Sequence, residues 1–339
     1  MLYPLKFHPI IKQTIWGGVK LAYKSTDVKS SIGESWEISG VQDDISVVSD
    51  GALAGNSLEE LTEVYMGDLV GDAVYEKFGV EFPLLIKYID ACDDLSIQVH
   101  PDDKTAKERH NAFGKTEMWY VVDTEGDTKG DDTERDTEKG AKILMGFNKD
   151  TDKSEYLTRL HNNTLTDILN VEKVQKGDCF FIPAGTVHAI CKGCLLAEIQ
   201  QTSDITYRIY DYDRKDKDGH PRELHTELAT DVITFKKQSQ HAISSHRHKN
   251  EPQDLVACNY FTTKYIHFDK ELERDYIVMG IDSFVIYMCL DGDFVIAYDT
   301  RGTSKFVKIT KGETVLLPAI FKQVSLIPKN AATILEVYV

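Results

Sequence analysis

Basic residues are scarce in this chain: its 339 residues include 39 lysines and arginines against 55 aspartates and glutamates, a net charge of −16. A surface this acidic argues against a nucleic-acid partner and against binding to an anionic membrane. A phosphorylated ligand would need a local basic pocket that overcomes the field of the whole molecule. We therefore expect neither nucleic acid nor a membrane among the partners.

Long apolar runs are also missing, since none approaches the roughly 20 residues that span a bilayer. One of the longest, Phe284–Leu290, is typical of a buried strand. The segment Met1–Pro9 lacks the pattern of a signal peptide, so a cytoplasmic location is expected. The length leaves room for two domains with a substantial core.

Cysteines are few, and only Cys191 and Cys194 have the spacing of a CxxC motif. A redox or zinc role for this pair would need a second CxxC or a helix that opens at the motif, and neither accompanies it. The motif is interpreted as a turn flanked by buried, reduced thiols, because free cysteine behaves as a small hydrophobic residue.

Strand patterns dominate what is present. Short β-branched and aromatic runs such as Pro83–Ile89 and Glu117–Val122 alternate with Gly, Asp and Asn turns, which predicts a sandwich or barrel. Two stretches are helical instead, within residues 57–80 and 152–170. The first opens on the capping box Ser57–Glu60, and both are expected to form a small helical flank.

Two polar stretches interrupt the strands. Asp123–Lys142 is a charged, low-complexity insertion, expected to be a loop or hairpin tip. Residues 241–253 are polar with scattered histidines, and we interpret them as a linker rather than as a metal site. The predicted domains are therefore residues 1–240, which would carry the site, and 254–339.

An internal repeat supports two related barrels. The segment Lys176–Ala184 aligns with Lys311–Ala319, and each copy has Lys-Gly, an acidic or polar pair, an apolar strand and Pro-Ala. The second copy continues without the glycine and histidine that follow in the first. One barrel is thus expected to keep a set of ligands that the other has lost.

Four side chains suggest a metal site in the first barrel. Gly177–His188 fits the pattern Gly-x5-Pro-x-Gly-x2-His, in which a turn presents a histidine at the start of a strand. Gln98 and His100 point to the same side of a strand because one residue separates them. Glu117 begins an apolar run, where a carboxylate is costly unless it is paired or bound to a metal. Two imidazoles and a carboxylate suit zinc, whereas an amide is a weaker ligand, so Gln98 is secondary.

A set of short motifs resembles the type I mannose-6-phosphate isomerases, in their shorter bacterial form. The motifs extend over most of the chain: Trp16-Gly-Gly18, Gly33-Glu-Ser-Trp36, Gln98-Val-His100-Pro-Asp-Asp, Gly114-Lys-Thr-Glu117-Met-Trp-Tyr, Pro183-Ala-Gly-Thr-Val-His188 and Ser203-Asp204-Ile-Thr-Tyr-Arg208. The resemblance implies a mainly β fold of two cupin-type (jelly-roll) β-barrels. It also implies one Zn²⁺ per chain and interconversion of mannose 6-phosphate and fructose 6-phosphate.

The same resemblance assigns roles to residues. His100, Glu117 and His188 fall on the metal-ligand positions, with Gln98 lining or completing the shell. Arg208 falls on the position of a catalytic arginine. Asp204 and Lys115 match positions associated with proton transfer or substrate contact.

Aldose–ketose isomerisation moves a proton between adjacent carbons through a cis-enediol and needs a general base, for which Asp204 is the first choice. Arg208 offers a planar, permanently charged fork that could neutralise the enediolate or bind the phosphate. Lys87 and Lys115 are further candidates for contact with an anion, although each could equally be a surface charge. Trp16 is either the floor of the pocket or a core residue.

Two other functions fit part of the pattern. Two histidines and one glutamate also form the facial triad of Fe(II)-dependent oxygenases, and a non-catalytic sugar-binding bicupin would share the architecture. An acid/base pair near the ligands favours the isomerase, because an oxygenase needs an open oxygen site instead. A small phosphorylated hexose is the expected partner, and the chain is expected to be a monomer or a weak homo-oligomer.

Overall fold

The computed structural model describes residues 1–125, 140–215, 219–238, 242–243, 248–269, 276–279 and 281–339. Most of the charged insertion at 123–142 and part of the linker at 241–253 lie outside the described residues, so the expectations for both stay predictions. Within the described residues, no helix is long and apolar enough to cross a membrane.

Eleven strands precede residue 211 in the described part of the chain: β1 (Ile10–Gly18), β2 (Ile32–Ser39), β3 (Leu84–Asp90), β4 (Ile97–Val99), β5 (Glu117–Thr124), β6 (Lys142–Phe147), β7 (Leu169–Lys173), β8 (Cys179–Ile182), β9 (His188–Ile190), β10 (Cys194–Gln201) and β11 (Tyr207–Tyr210). Nine follow within the described residues: β12 (Gln253–Ala257), β13 (Thr262–Phe268), β14 (Tyr276–Met279), β15 (Val285–Asp291), β16 (Asp293–Thr300), β17 (Thr303–Thr310), β18 (Thr314–Leu317), β19 (Gln323–Pro328) and β20 (Ala332–Tyr338). The α-helices are α1 (Leu58–Tyr65), α2 (Gly67–Val70), α3 (Asp72–Phe78), α4 (Asp103–His110), α5 (Lys153–His161) and α6 (Thr226–Thr230).

The chain divides into two compact units, each built from separate segments. The central unit, named for its place along the chain, comprises Ile11–Trp36 and Leu84–Ile243. The terminal unit, which contains both chain ends, comprises Met1–Ile10, Glu37–Pro83 and Ser244–Val339. The division into domains 1–240 and 254–339 describes the order of the chain, and it stays a prediction.

The central unit is a sandwich of two antiparallel sheets. Their strand orders are β1-β2-β3-β10-β5-β8 and β11-β4-β9-β6-β7. Trp119 and Phe180 of the first sheet share one buried cluster with Ile143 and Ile190 of the second, so the sheets pack face to face. The space between them is therefore the core of the unit and the place where inward side chains meet.

The terminal unit repeats this plan. Its sheets have the orders β12-β13-β20-β15-β18 and β14-β19-β16-β17, and Tyr287, Ile334, Ile296 and Val324 share a buried cluster between them. The prediction of a mainly β fold with two cupin-type jelly-roll barrels is confirmed at the level of these paired sheets.

The sequence repeat falls at equivalent places in the two units. In the central unit, Phe180 of β8 lies opposite Trp119 of β5. In the terminal unit, Val315 of β18 lies opposite Tyr287 of β15. The aligned segments therefore occupy the same edge position of corresponding sheets, which supports the expectation of two related barrels.

The predicted helical flank is present. Ser57 and Glu60 form the capping box of α1, with the Ser57 hydroxyl accepting from the Glu60 N–H at 3.1 Å. Asp152 caps α5 by accepting from the Glu155 N–H at 2.8 Å. Tyr156 of α5 is fully buried in a cluster that lines the outer face of β4, so α5 covers the sheet that carries two of the candidate ligands.

Helix α4 was not predicted. It begins directly after the site motif, and Asp102 caps it by accepting from the Thr105 N–H at 2.9 Å. The sequence signal for this helix is Asp102 followed by a polar run of helix-favouring residues. An aspartate at this place is equally typical of the end of a strand. The consequence is that His100 lies in the short connection between β4 and α4.

The turn interpretation of the CxxC pair agrees with the structure. Gly193 adopts φ +93° within the turn between Cys191 and Cys194, a conformation that favours glycine. Burial raises the pKa of both thiols to about 12, so both cysteines are protonated at neutral pH.

Candidate metal centre

The turn before His188 depends on Gly185. This residue adopts φ +87°, and a Cβ at its position would lie 2.8 Å from the Val232 carbonyl oxygen, so only glycine fits without strain. The turn delivers His188 as the first residue of β9, fully buried and opposite Gln98 of β4.

His100, Glu117 and His188 converge between the two sheets of the central unit. The Nε2 of His188 lies 3.4 Å from Oε1 of Glu117, and the Nε2 of His100 lies 3.5 Å from Oε2. One ligand atom from each residue lies within 4.8 Å of the others. Tetrahedral bonds near 2.1 Å would place ligand atoms about 3.4 Å apart, so the spacing suits a metal better than a hydrogen bond.

The histidine tautomers favour the same conclusion. The Nδ1–H of His188 donates to the Thr186 carbonyl at 2.8 Å, and that of His100 donates to the Ile205 carbonyl at 2.9 Å. Each imidazole therefore turns the lone pair of its Nε2 toward the carboxylate of Glu117. Both carboxylate oxygens and the His100 Nε2 are buried without a hydrogen-bond partner among the described residues. Three acceptors that face one another fit a cation.

Burial controls protonation in this trio. It lowers the pKa of His188 to about 3, and it lowers the pKa of His100 well below its ordinary value, with the charge of Lys115 adding to the effect. Burial also raises the pKa of Glu117 to about 8, and the negative charge of Glu198 adds to it. At neutral pH the metal-free trio is therefore two neutral imidazoles and a protonated carboxyl group.

Gln98 lies at the edge of this group. Its side-chain nitrogen is 3.3 Å from the Nε2 of His188 as the amide is oriented. The two orientations of an amide are chosen from its hydrogen bonds, and rotation would turn the carbonyl oxygen toward the same point. Gln98 therefore lies within reach of the point that the trio faces, and its secondary place among the ligands stays a prediction.

Ion pairs surround the trio on the side of the larger sheet. Lys115 is buried with its Nζ 3.9 Å from Oε2 of Glu117. Lys87 is also buried and pairs with Glu198 at 2.9 Å and with Glu34 at 3.2 Å. Neither lysine is therefore a solvated surface charge, which was the alternative that the sequence allowed for each of them.

Glu34 and Glu198 are site-adjacent residues that the sequence reasoning missed. The Trp119 indole N–H donates to Glu198 at 2.7 Å, and the Trp36 indole N–H donates to Glu34 at 2.6 Å. Glu198 lies in the apolar strand β10, where a carboxylate is costly unless it is paired, so the argument that pointed to Glu117 applies to Glu198 as well. Glu34 was visible only as part of the Gly33–Trp36 motif.

The buried charges are almost balanced. Burial lowers the pKa of Lys87, but Glu198 and Glu34 outweigh burial and raise it above the ordinary value. Burial lowers the pKa of Lys115, and the neighbouring charge of Lys87 adds to this effect. With a metal bound and Glu117 ionised, two ammonium groups, three carboxylates and a divalent cation would give the group a net positive charge, which favours an anionic ligand.

The other residues predicted from the sequence are Arg208, Asp204 and Trp16, and they differ in burial and position. Arg208 of β11 is half-buried opposite Gln98, which in turn lies opposite His188. Asp204 is exposed, although the carbonyl of the next residue, Ile205, holds His100. Trp16 lies in the apolar cluster of the central unit. The structure thus brings Arg208 toward the cluster, and it places Asp204 at the surface and Trp16 in the core.

The two packed jelly-roll sandwiches and the buried pair of histidines with one glutamate define a cupin-type protein with a candidate metal centre. Residues 5–131 match the family model described as phosphomannose isomerase type I, catalytic domain. Mannose-6-phosphate isomerase ManA of Bacillus subtilis is 40% identical over 266 residues, which are 76% of this chain and 78% of that protein. Mannose-6-phosphate isomerase of Streptococcus mutans is 39% identical over 70% of each chain. The chain belongs to the type I mannose-6-phosphate isomerase family, and it is an enzyme of the isomerase class.

Solved structures of mannose-6-phosphate isomerases have the same fold as this chain. The crystal structure of the mannose 6-phosphate isomerase from Bacillus subtilis superposes with a TM-score of 0.83 at 31% identity, and the match covers 100% of both chains. The apo form of the enzyme from Salmonella typhimurium matches with a TM-score of 0.73 at 16% identity and supports the fold alone.

Proposed function

We propose that this chain interconverts mannose 6-phosphate and fructose 6-phosphate with one zinc ion per chain, through a cis-enediol. The observation that carries the proposal is the convergence of His100, Glu117 and His188, whose lone pairs turn toward one point in the core. Zinc bound there, with Gln98 beside it, would supply a Lewis acid that polarises the carbonyl and hydroxyl oxygens of the sugar. Membership of the isomerase family supports this choice of reaction.

Lys115 and Arg208 are the groups that we propose face the substrate. Lys115 is buried beside Glu117, and its distance of 3.9 Å leaves the ammonium donors without a short bond to that carboxylate. Arg208 has a buried Nε–H with no partner among the described residues. Positive charge held in a dry site stabilises negative charge that develops on the enediolate or resides on the phosphate.

Asp204 stays our proposal for the general base. Its loop is fixed to the metal site because the Ile205 carbonyl accepts from His100 and the Ser203 carbonyl accepts from Gln200 at 2.5 Å. A base must reach the C1 and C2 protons of the sugar, and Asp204 is exposed. The substrate would therefore have to approach from the solvent side of this loop.

Lys87 and Trp16 have supporting places in this proposal. Lys87 is engaged by two carboxylates, so it would act on the substrate through its electric field and not through direct contact. Trp16 belongs to the same buried apolar cluster as Trp119, which supports the core interpretation over the pocket floor.

The Fe(II) oxygenase and the sugar-binding bicupin make different predictions. Metal-depleted protein is reloaded with zinc or with iron and assayed under anaerobic conditions with mannose 6-phosphate. We expect fructose 6-phosphate and exchange of the C2 proton with solvent in the zinc-loaded protein. A need for oxygen would indicate the oxygenase, and zinc binding without turnover would indicate the binding protein.

Two variants separate the metal ligands from the other groups. His188→Ala should lose zinc, whereas Arg208→Ala should keep zinc and lose turnover by at least a hundredfold, as removal of one charge-stabilising donor does. His161→Ala and Arg159→Ala, at an exposed and a half-buried position of α5, are matched controls that should change neither. Normal turnover of Arg208→Ala would remove this residue from the reaction.

The expected cytoplasmic location and the monomeric or weakly associating state stay predictions. Size-exclusion chromatography with light scattering across protein concentration tests the second, and a stable larger oligomer would contradict it.

A further inference from the structure

One segment, Arg222–His225, holds both the backbone and the side chain of Arg208. The Arg208 N–H donates to Nδ1 of His225 at 3.2 Å, and the His225 N–H donates to the Arg208 carbonyl at 2.7 Å. The Nη1 of Arg208 donates to the Glu223 carbonyl at 2.9 Å. The segment therefore determines where Arg208 lies and where its guanidinium points.

Asp211 anchors this segment. The residue is 4% exposed, and its side chain accepts from Nε of Arg222 at 2.8 Å, with Nη2 of Arg222 completing a two-point contact. Arg214 donates to the same carboxylate at 2.7 Å. Burial raises the pKa of Asp211, but the bonds from Arg222 and Arg214 outweigh burial and lower it, so the carboxylate is charged. Because Arg222 directly precedes Glu223, this pair sets the position of the carbonyl that holds Arg208.

The anchoring contacts leave donors of Arg208 unused. Its Nε–H is buried without a partner among the described residues, and the residue lies opposite Gln98 at the edge of the metal trio. A two-point Arg–carboxylate contact has a defined geometry, unlike a contact from a lysine. Misplacement of a reacting group by about 1 Å can cost on the order of a hundredfold in rate.

We propose that the Asp211–Arg222 pair is a positioning device that holds the guanidinium of Arg208 toward the substrate. In this proposal Arg222 and Asp211 act through Arg208 and are positioning residues. The proposal rests on the proposed function, because it assigns Arg208 to the reacting sugar phosphate.

A double-mutant cycle tests the dependence on Arg208. Arg222→Met should lower kcat/KM for mannose 6-phosphate by tenfold or more with zinc content unchanged. The same substitution in an Arg208→Ala background should change kcat/KM by less than twofold. Arg222→Lys keeps the charge but loses the two-point contact, so it should show an intermediate loss. Arg159→Met, which removes the ion pair between Arg159 of α5 and Asp167, is the matched control and should be neutral.

A merely structural role gives a different pattern. It would lower the melting temperature and reduce activity by the same factor in both backgrounds, and that result would overturn the proposal. Wild-type activity of Arg222→Met would do the same.

A crystal structure of Arg222→Met gives a readout that is independent of activity. The bond from Arg208 to the Glu223 carbonyl should be lost and the guanidinium displaced. An unmoved guanidinium would refute the positioning role. Absence of isomerase activity in the wild-type protein would refute the proposed function, while this structural comparison would still decide the positioning role.

Discussion

Glu117 shows at the scale of one residue why the site fits a cation. Its carboxylate lies between the Nε2 atoms of two imidazoles. Each ring donates its Nδ1 proton to a backbone carbonyl on the far side. A buried carboxylate without donors is costly, and protonation relieves this cost when no metal is present. Protons and metal therefore compete for the same atoms.

This competition predicts proton release on metal binding. The pKa of Glu117 without metal is raised to about 8 and that of His188 is lowered to about 3. At pH 7 the carboxyl group holds its proton and the imidazoles hold none, so zinc should displace close to one proton. Calorimetry in buffers of different ionisation enthalpy measures this number.

The released fraction should fall as the pH rises above 8, because Glu117 is then already ionised. A release near two protons, or none at pH 7, would show that the protonation state of the trio is different.

At the scale of strands, the two units share a buried glutamate with matching cross-strand neighbours as well as a sequence repeat. On β10, Glu198 lies opposite Lys87 of β3 and Trp119 of β5. The corresponding strands of the terminal unit carry the same types of residue: Glu336 of β20 opposite Lys264 of β13 and Tyr287 of β15. Both units thus hold a buried glutamate between a lysine and an aromatic residue with a polar hydrogen.

The candidate ligand position of Glu117 has not been kept. Val285 lies opposite Leu317, as Glu117 lies opposite Ile182. The terminal unit therefore has an apolar residue where the central unit has the carboxylate of its candidate metal centre.

The buried Glu336 of the terminal unit predicts that the stability of the protein depends on pH. Burial raises the pKa of Glu336, with Lys264 opposing it, so folding favours the protonated form. The stabilisation is fully present below the ordinary glutamate pKa of about 4.3 and is lost as the pH rises through the folded pKa. Glu336→Gln should therefore gain stability relative to wild type between pH 5 and pH 8, by about 1.4 kcal/mol for each unit of pKa shift.

Thermal melts of both proteins at the two pH values measure this difference, and turnover of Glu336→Gln should be unchanged. Glu198→Gln, the matched change beside the metal centre, should instead lower turnover. An equal loss of melting temperature at both pH values for Glu336→Gln would contradict the expected sign.

At the scale of the whole molecule, the second sandwich is not made by the end of the chain alone. Leu5 and Leu316 exchange two backbone hydrogen bonds of 2.7 and 2.9 Å, and both side chains are fully buried. The Ala319 N–H donates to the Leu69 carbonyl at 2.9 Å, and the rings of Phe82 and Phe284 make a tilted contact with their centroids 4.6 Å apart. Residues 1–10 and 37–83 therefore complete the terminal unit.

These contacts predict that a fragment of residues 254–339 does not fold by itself. It would expose the edge of β18 and the apolar surface around Phe284, which the missing segments cover in the full chain. We expect the isolated fragment to show no cooperative thermal transition by circular dichroism. A cooperative melt would show that the predicted boundary at 254 marks an independent domain.

Metal removal should affect the stability of the protein as well as its activity. A ligand that binds only the folded state at a thousand times its dissociation constant stabilises it by about 4 kcal/mol. Chelation should therefore lower the melting temperature of the wild-type protein and leave that of His188→Ala unchanged. Equal shifts in both proteins would assign the effect to the chelator and not to the site.

The sequence by itself was sufficient for features that depend on a few neighbouring residues. The turn that presents His188 and the caps at Ser57 and Asp152 follow from local geometry, because turn conformations and helix caps are decided within a few positions. The alternation argument for Gln98 and His100 was incomplete, because β4 ends at Val99 and His100 lies beyond it. The ligand types also indicated a metal, since the chemistry of an imidazole or a carboxylate does not depend on the fold.

Only the tertiary structure decided which distant groups share the buried space. Glu198, Lys87 and Glu34 come from three strands, and their pairing depends on strand order and register, which no short segment specifies. The same applies to Arg222, whose role near Arg208 appears only when two loops meet at Asp211. The physical reason is that burial converts weak surface charges into strongly coupled ones, and burial is a property of the packed molecule.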